Sequence, residues 1–386
     1  MQERGNPTLH FLDRYLGIPS VALLGHMKSK RPLPSKIENI CLLKTVGIGD
    51  TVLISGVVAD LRMAFPHASL TIFSGQSNFE MAHMLDGIDR VVKVPIRNLV
   101  AGLRAMRAVS IDILLDFGHW PRIDALLSLL SGASFTVGFC VQGQYRHYGY
   151  DLAVKYSSEV HEIENYRQLV RALGVETSNP PFLRTPRVGV APVSDYAVFH
   201  LWPGGMLSRL KQWRSESWVR LIEEFASLGM EVVLTGAPSD CASNDAIIER
   251  VRPHARGIVR NAAGLSLQET AGALAHSRLV VSVNTGVMHM AAALGVPLVA
   301  LHGPTSSKRW GPISDRAIVV NSPLDGCGYL NLGWEYPSNP PPCMECIRYE
   351  EVRDACRRLL EMQNSSSRQV QIGERTIRSG FEGEYA

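Results

Sequence analysis

Apolar and polar positions follow two rhythms along this chain, and the alternation between them predicts the architecture. Between Ile40 and Phe139, short apolar runs predict strands at 40–46, 70–73, 91–94, 111–116 and 135–139, separated by helically spaced apolar positions. The helix after the first strand carries Ile54, Val57, Val58, Leu61 and Phe65 on one face. A polar stretch with Asn179-Pro180-Pro181, Thr185-Pro186 and Ala191-Pro192 interrupts the rhythm and predicts a linker. The rhythm then resumes, with strands at 196–201, 231–235, 257–260, 279–283 and 298–301 and helices at 215–228, 240–251, 266–276 and 287–294. A helical pattern at 349–362 precedes a polar tail, 364–386, expected to be disordered. Strands alternating with helices indicate a doubly wound parallel sheet, here built twice. The expected division is an apolar and basic segment 1–36, two Rossmann-like halves at 37–185 and 186–348, a helix at 349–363 and the tail.

Composition narrows what two such halves could do. At 386 residues with 46% hydrophobic content, the chain can build two ordinary cores. A net charge of +3 argues against nucleic acid as the main partner. No apolar run approaches the roughly 18–20 residues of a spanning helix, and no signal peptide is read at the start. The apolar segment 8–27 is broken by Gly17 and Pro19 and followed by Lys28, Lys30 and Arg31. It reads either as a membrane-surface contact, extending over residues 8–31, or as a helix packed on the protein itself. The expected compartment is cytoplasmic, with peripheral contact at the cytoplasmic membrane face.

Two loops carry the candidate chemistry. In the first, Ile40-Cys-Leu-Leu-Lys-Thr-Val46 enters Gly47-Ile-Gly-Asp50 just before a helix. Asp50 reads either as a helix N-cap or as a functional carboxylate. In the second, the strand ending at Val283 enters Asn284-Thr285-Gly286 and a helix bearing His289. Free backbone N–H groups and the positive end of a helix dipole then meet at one point, a site for phosphate. The dinucleotide fingerprint is incomplete, because Gly47-Ile-Gly49 runs on into Asp50-Thr51-Val52, which disfavours a nicotinamide dehydrogenase.

Gly47-Ile-Gly-Asp50, Phe65-Pro66, Lys211-Gln-Trp213, Asn284-Thr-Gly-Val-Met-His289, Gly303-Pro-Thr305 and Trp310-Gly-Pro312 together resemble the bacterial heptosyltransferases, glycosyltransferase family 9. The resemblance runs over roughly residues 38–360. It implies a GT-B fold, with the first half taking the acceptor and the second the nucleotide sugar. It also implies inverting transfer without an obligatory cofactor or metal, with ADP-heptose as donor and lipopolysaccharide core as acceptor. By the same resemblance Asp50 is the general base and Lys211 binds the donor diphosphate. Gly49, Gly204, Asn284, Thr285, Gly286 and His289 are expected at the donor. Ser208 and Arg209 are weaker candidates for phosphate contact. Asp240 is placed either to accept from a ribose hydroxyl or as an ordinary cap. Many members carry aspartate where this chain has Asn284, so a sugar hydroxyl would meet an amide without charge.

Other readings stand beside this one. The same chemistry could serve a natural-product or protein acceptor with another nucleotide sugar, and a GT-B nucleotide-sugar epimerase is the alternative of another class. Cys327, Cys343, Cys346 and Cys356 could hold zinc or iron, or be thiols or a disulfide. Cys41, Cys140 and Cys241 read as buried thiols.

Overall fold

The structure, a computed structural model, describes residues 13–185, 195–205, 207–331 and 336–363. The expectations for residues 8–12, 186–194 and the 364–386 tail therefore lie outside the described residues.

The first sheet contains β1 (Asn39–Lys44), β2 (Ser69–Ser74), β3 (Arg90–Lys93), β4 (Ile113–Asp116), β5 (Phe135–Cys140) and β6 (Leu152–Lys155), in the order β3-β2-β1-β4-β5-β6. The second contains β7 (Tyr196–His200), β8 (Glu231–Gly236), β9 (Val259–Ala263), β10 (Leu279–Val283), β11 (Leu298–His302) and β12 (Ala317–Asn321), in the order β12-β11-β10-β7-β8-β9. All of these pairings are parallel. Seen from its own first strand, each sheet has the same doubly wound order, with the strand direction of travel reversing between β1 and β4 and between β7 and β10. Ligands of open α/β sheets bind at such switch points. Both candidate loops sit there.

The helices that position the site are α1 (Ile18–His26), α2 (Ile48–Ala64), α3 (Phe79–His83), α4 (Leu99–Arg107), α5 (Arg122–Leu130), α6 (Glu162–Arg171), α7 (Ser215–Ser227), α8 (Cys241–Arg250), α9 (Pro253–Arg256), α10 (Leu267–Ala275), α11 (Gly286–Ala293), α12 (Ser307–Trp310) and α13 (349–363). Helices α2 and α11 follow the two switch-point strands. Both are buried almost all round, from Asp50 to Val58 and from Val287 to Ala293. A helix apolar on every side belongs inside a protein. These two lie between the sheets, so Ile40, Val57, Met288, Val280 and Leu298 join one apolar core shared by both halves. A second core in the C-terminal half packs Trp213 and Trp218 edge to face at 5.0 Å, as expected of packing residues.

Polar ties also cross between the halves. Glu80 accepts from Leu267 N at 2.6 Å and so caps α10 from the opposite half. Within the first half, Ser178 and Asn179 donate backbone N–H groups to Asp60 on α2 at 3.1 Å and Phe182 N donates to Ser55 Oγ at 2.9 Å, and the same segment crosses to the second half through Leu183 N and Ala293 O at 3.1 Å.

The cysteine expectations change in two places. Cys327 and Cys343 are joined in a disulfide, so their sulfurs are not available as thiolate ligands to a metal shared with Cys346 and Cys356. Cys356 is buried on α13 among Ile347, Val352 and Leu359, and among the described residues no His/Cys/Asp/Glu group suits a metal. Cys241 is exposed at the start of α8 rather than buried, and Cys140 is half-buried. Among the described residues, no helix is long and apolar enough to cross a membrane.

Candidate active site

The first loop is built by a glycine in a conformation other residues avoid. Gly47 has φ 95° and serves as the N-cap of α2, which starts at Ile48. Asp50 therefore lies inside the first helical turn, and the N-cap reading of it is corrected: the carboxylate is left for other work. It is buried, with its Oδ2 3.2 Å from Lys44 Nζ at the end of β1. The helix N-terminus adds a second favourable field for negative charge. Lys44 is itself buried and also donates to Tyr166 Oη at 3.0 Å and Phe117 O at 3.3 Å. A small cavity opens beside the pair, lined by Lys44, Val46, Asp50, Gly118, His119, Trp120, Pro121 and Asp124.

More charge lies around this cavity. Asp124 accepts from Thr45 Oγ1 at 2.9 Å, and burial beside Asp116 pushes its carboxyl up to about 7. Asp116 is in turn paired with the fully buried Arg146 at 2.7 Å. Glu162 at the start of α6 lies 3.3 Å from His119 and 2.6 Å from Arg309 of the opposite half. Burial works to raise the Glu162 carboxyl, but His119 and Arg309 outweigh it and hold it below the ordinary glutamate range. Burial in turn pushes the His119 imidazole down against the pull of Glu162. Arg309 also donates to Tyr156 Oη, and to Ser157 O and Val160 O at 3.1 Å each, so one guanidinium fastens the two halves. His161 Nε2 and Gly311 O, 3.0 Å apart, add a second tie from the same loop.

The second loop meets the first directly. Thr285, extended at φ −150°, is the N-cap of α11, and its hydroxyl makes no capping bond. A Cβ on Gly286 would stand 2.8 Å from Ile48 Cβ, and one on Gly49 would stand 2.7 Å from His289 Cδ2. Only glycine at both positions lets the helix starts approach this closely. His289 is buried with Nδ1 lacking a hydrogen-bond partner, and burial pushes the ring down to about 3. Asn284 Nδ2 donates to Trp310 O at 3.1 Å and lies 3.4 Å from the His302 ring.

The remaining donor candidates stand on neighbouring strand ends. Lys211 ends the short helical turn Ser208–Lys211 after β7, its Nζ 2.6 Å from Gly204 O. Arg209 is exposed and Ser208 half-buried in the same turn. Asp240 directs Oδ2 to Ala237 N at 2.8 Å and thereby closes the turn after β8. Lys44, His119, Glu162 and Arg309 were not singled out from the sequence. The local signal available was Lys44, a lysine closing an apolar strand next to the glycine loop.

A family model described as glycosyltransferase family 9 (heptosyltransferase) matches residues 102–328, more than half of the chain. Lipooligosaccharide heptosyltransferase 2 of Haemophilus influenzae is 28% identical over 165 residues, 42% of this chain and 46% of that protein; the chain thus spans under half the length of that relative. Lipopolysaccharide heptosyltransferase 1 of Salmonella typhimurium is 25% identical over 321 residues, 76% of this chain and 96% of that protein. The solved E. coli ADP-heptose lps heptosyltransferase II superposes with a TM-score of 0.70 at 19% identity, covering 85% of this chain and 100% of that one. At that identity the likeness speaks for the fold, and the fold is GT-B: two facing Rossmann-like sheets.

Proposed function

The chain belongs to glycosyltransferase family 9, and from that premise we propose that it transfers a heptose from ADP-heptose, with inversion, to a hydroxyl of a lipopolysaccharide-core-like glycan. We assign the acceptor to residues 37–185 and the nucleotide sugar to residues 186–348. The carrying observation is the meeting of the two switch-point loops, with Asp50 and its cavity on one side and the start of α11, uncapped by the Thr285 side chain, on the other. In this reading the Asp50 carboxylate takes the proton of the acceptor hydroxyl as that oxygen bonds to the anomeric carbon. The bond from that carbon to the diphosphate breaks on the opposite face, and its electron pair leaves with ADP. Lys211 and the N–H groups at Thr285 and Gly286 offset the charge that grows on the departing diphosphate. Gly49 lets its loop close against His289 at the donor, Gly204 leaves space beside the donor, Asn284 and His289 bond the donor, and Asp240 serves as a ribose contact by exchanging Ala237 N for a hydroxyl. No metal or other cofactor is needed for these steps. The enzyme would work in the cytoplasm, where a lipid-linked acceptor presents its sugar at the inner membrane face. Family membership favours this over a nucleotide-sugar epimerase.

The test is nucleotide selectivity. ADP is expected to raise the melting temperature more than GDP, UDP, CMP or dTDP, since a ligand at about 100 times its Kd adds roughly 2.7 kcal/mol. ADP-heptose should then be consumed in the presence of heptose-deficient core acceptor. A larger shift with another nucleotide overturns the donor and leaves the transfer mechanism to be assayed with that sugar nucleotide.

A further inference from the structure

The helical segment Asp13–His26 has two unlike faces. Its inner face is Gly17, Val21 and Gly25, four residues apart, which brings one stripe of a helix against a neighbour. Val21 is fully buried against Ala125, Leu126 and Tyr150. The glycines allow contact without side chains: a Cβ on Gly25 would lie 2.4 Å from Tyr148 O, and one on Gly17 would lie 3.0 Å from Arg122 Cβ. Both ends are pinned. Asp13 accepts from Arg122 N at 2.7 Å, and Asp151 holds Lys28 at 3.0 Å and Arg31 at 2.8 Å.

The outer face carries Leu16, Leu23 and Met27, which are 63%, 67% and 77% exposed, with Tyr15 beside them at 58%. A fixed helix with this much apolar surface outward has something to meet. Charge indicates what. From Arg14 to Ile37 the chain has five Lys or Arg and no Asp or Glu. Three of those cations are paired with acids, and Arg14 and Lys30 stand exposed at the two ends of the stripe. The segment also lies on α5, whose first residue follows Trp120 and Pro121 of the Asp50 cavity.

We propose that the outer face of residues 15–27 docks on an anionic lipid bilayer, with Leu16, Leu23 and Met27 entering the headgroup boundary and Arg14 and Lys30 meeting lipid phosphates. Apolar insertion and attraction to anionic headgroups add in such a helix. The docking would bring the rim of the Asp50 cavity to the membrane. That purpose rests on the lipid-linked acceptor proposed above, whereas the binding itself does not.

The experiment is co-flotation of the whole protein with vesicles of phosphatidylethanolamine and phosphatidylglycerol, against phosphatidylcholine alone. Binding is expected on the anionic vesicles, weaker at high salt, and reduced roughly tenfold or more in the triple variant L16E/L23E/M27E. The variant's melting temperature checks that it folds. No binding to anionic vesicles, or equal binding by a folded variant, overturns the proposal. So does a wild-type oligomer that the variant dissociates while vesicle binding is unchanged, because the stripe then covers a second copy. Loss of the ADP shift with vesicle binding intact strikes the donor assignment and leaves this one standing.

Discussion

Around the end of β1 the N-terminal half buries fixed charges: Lys44 pairs with Asp50, Arg146 pairs with Asp116, and Glu162 takes its cation, Arg309, from the other half. At the matching switch point the C-terminal half buries His200, His289 and His302, which burial holds at about 4, about 3 and about 4. Those rings are neutral at physiological pH, and they share the place with an amide, a hydroxyl and a helix start. One strand order thus supports two electrostatic designs. A group meant to take a proton must carry its charge into the empty site, so counter-charges are built around it. A site meant for a diphosphate receives its charge with the ligand, and neutral donors on backbone and imidazole avoid stranding buried cations when it leaves.

The largest break in this comparison should come from Asp50→Asn. It removes the proposed proton acceptor and leaves the second half untouched. Turnover is expected to fall roughly 10²–10⁴-fold, while the ADP-induced melting shift stays at the wild-type value. Normal turnover in this variant would sink Asp50 as the base. Loss of the ADP shift instead would show that the charge design of the first half reaches the nucleotide.

Next in size is the charge that crosses between the designs. Arg309 is 3% exposed in its side chain and serves Glu162, Tyr156 and two carbonyls of the other half. Arg309→Met leaves the fully buried Glu162 short of its cation, a loss of about 3–5 kcal/mol by analogy with other broken buried pairs. Urea unfolding measures it. Adding Glu162→Gln should recover much of the loss; a double variant as unstable as the single one would mean that Arg309 acts through its carbonyl contacts.

How much of this could be read from residues alone follows from the same physics. The central strands β1, β4, β7 and β10 are buried on both faces and appear as mostly apolar runs. The edge strands Leu152–Lys155 and Ala317–Asn321 were not anticipated; both are only partly buried and pair on one side, but the same holds for β3 and β9, which were read, so burial alone does not explain the miss. Both loops were legible as strand, glycine turn and helix. The environment of Asp50 was not: Glu162 and Arg309 approach it from 112 and 259 positions away in the chain, and no local pattern announces such a meeting. Asp50 itself was expected ahead of its helix and stands within the first turn, since Gly47 with its positive φ takes the cap.

The smallest effect is a pH dependence and concerns the three buried histidines of the second half. Their folded pKa values lie below the unfolded value of 6.5, so the unfolded chain binds more protons and stability is lost as pH falls from about 6.5 toward about 4. Between pH 7 and 5.5 each ring should cost roughly 1 kcal/mol. Asp124 works in the opposite sense over this window. Its folded pKa of about 7 is raised, so its proton favours the folded state as the pH falls below that value. The three rings, with the likewise depressed His119 and His161 of the first half acting in the same sense, outweigh one carboxyl and leave a net loss in acid, read as a lower urea midpoint at pH 5.5 than at pH 7. His302→Gln keeps an amide near Thr305 O and Asn284 and removes one titrating ring. The slope of stability against pH should flatten in that variant and steepen in Asp124→Asn. A slope unchanged by His302→Gln would remove His302 from the acid sensitivity and leave it to the other depressed rings, His119 and His161 among them.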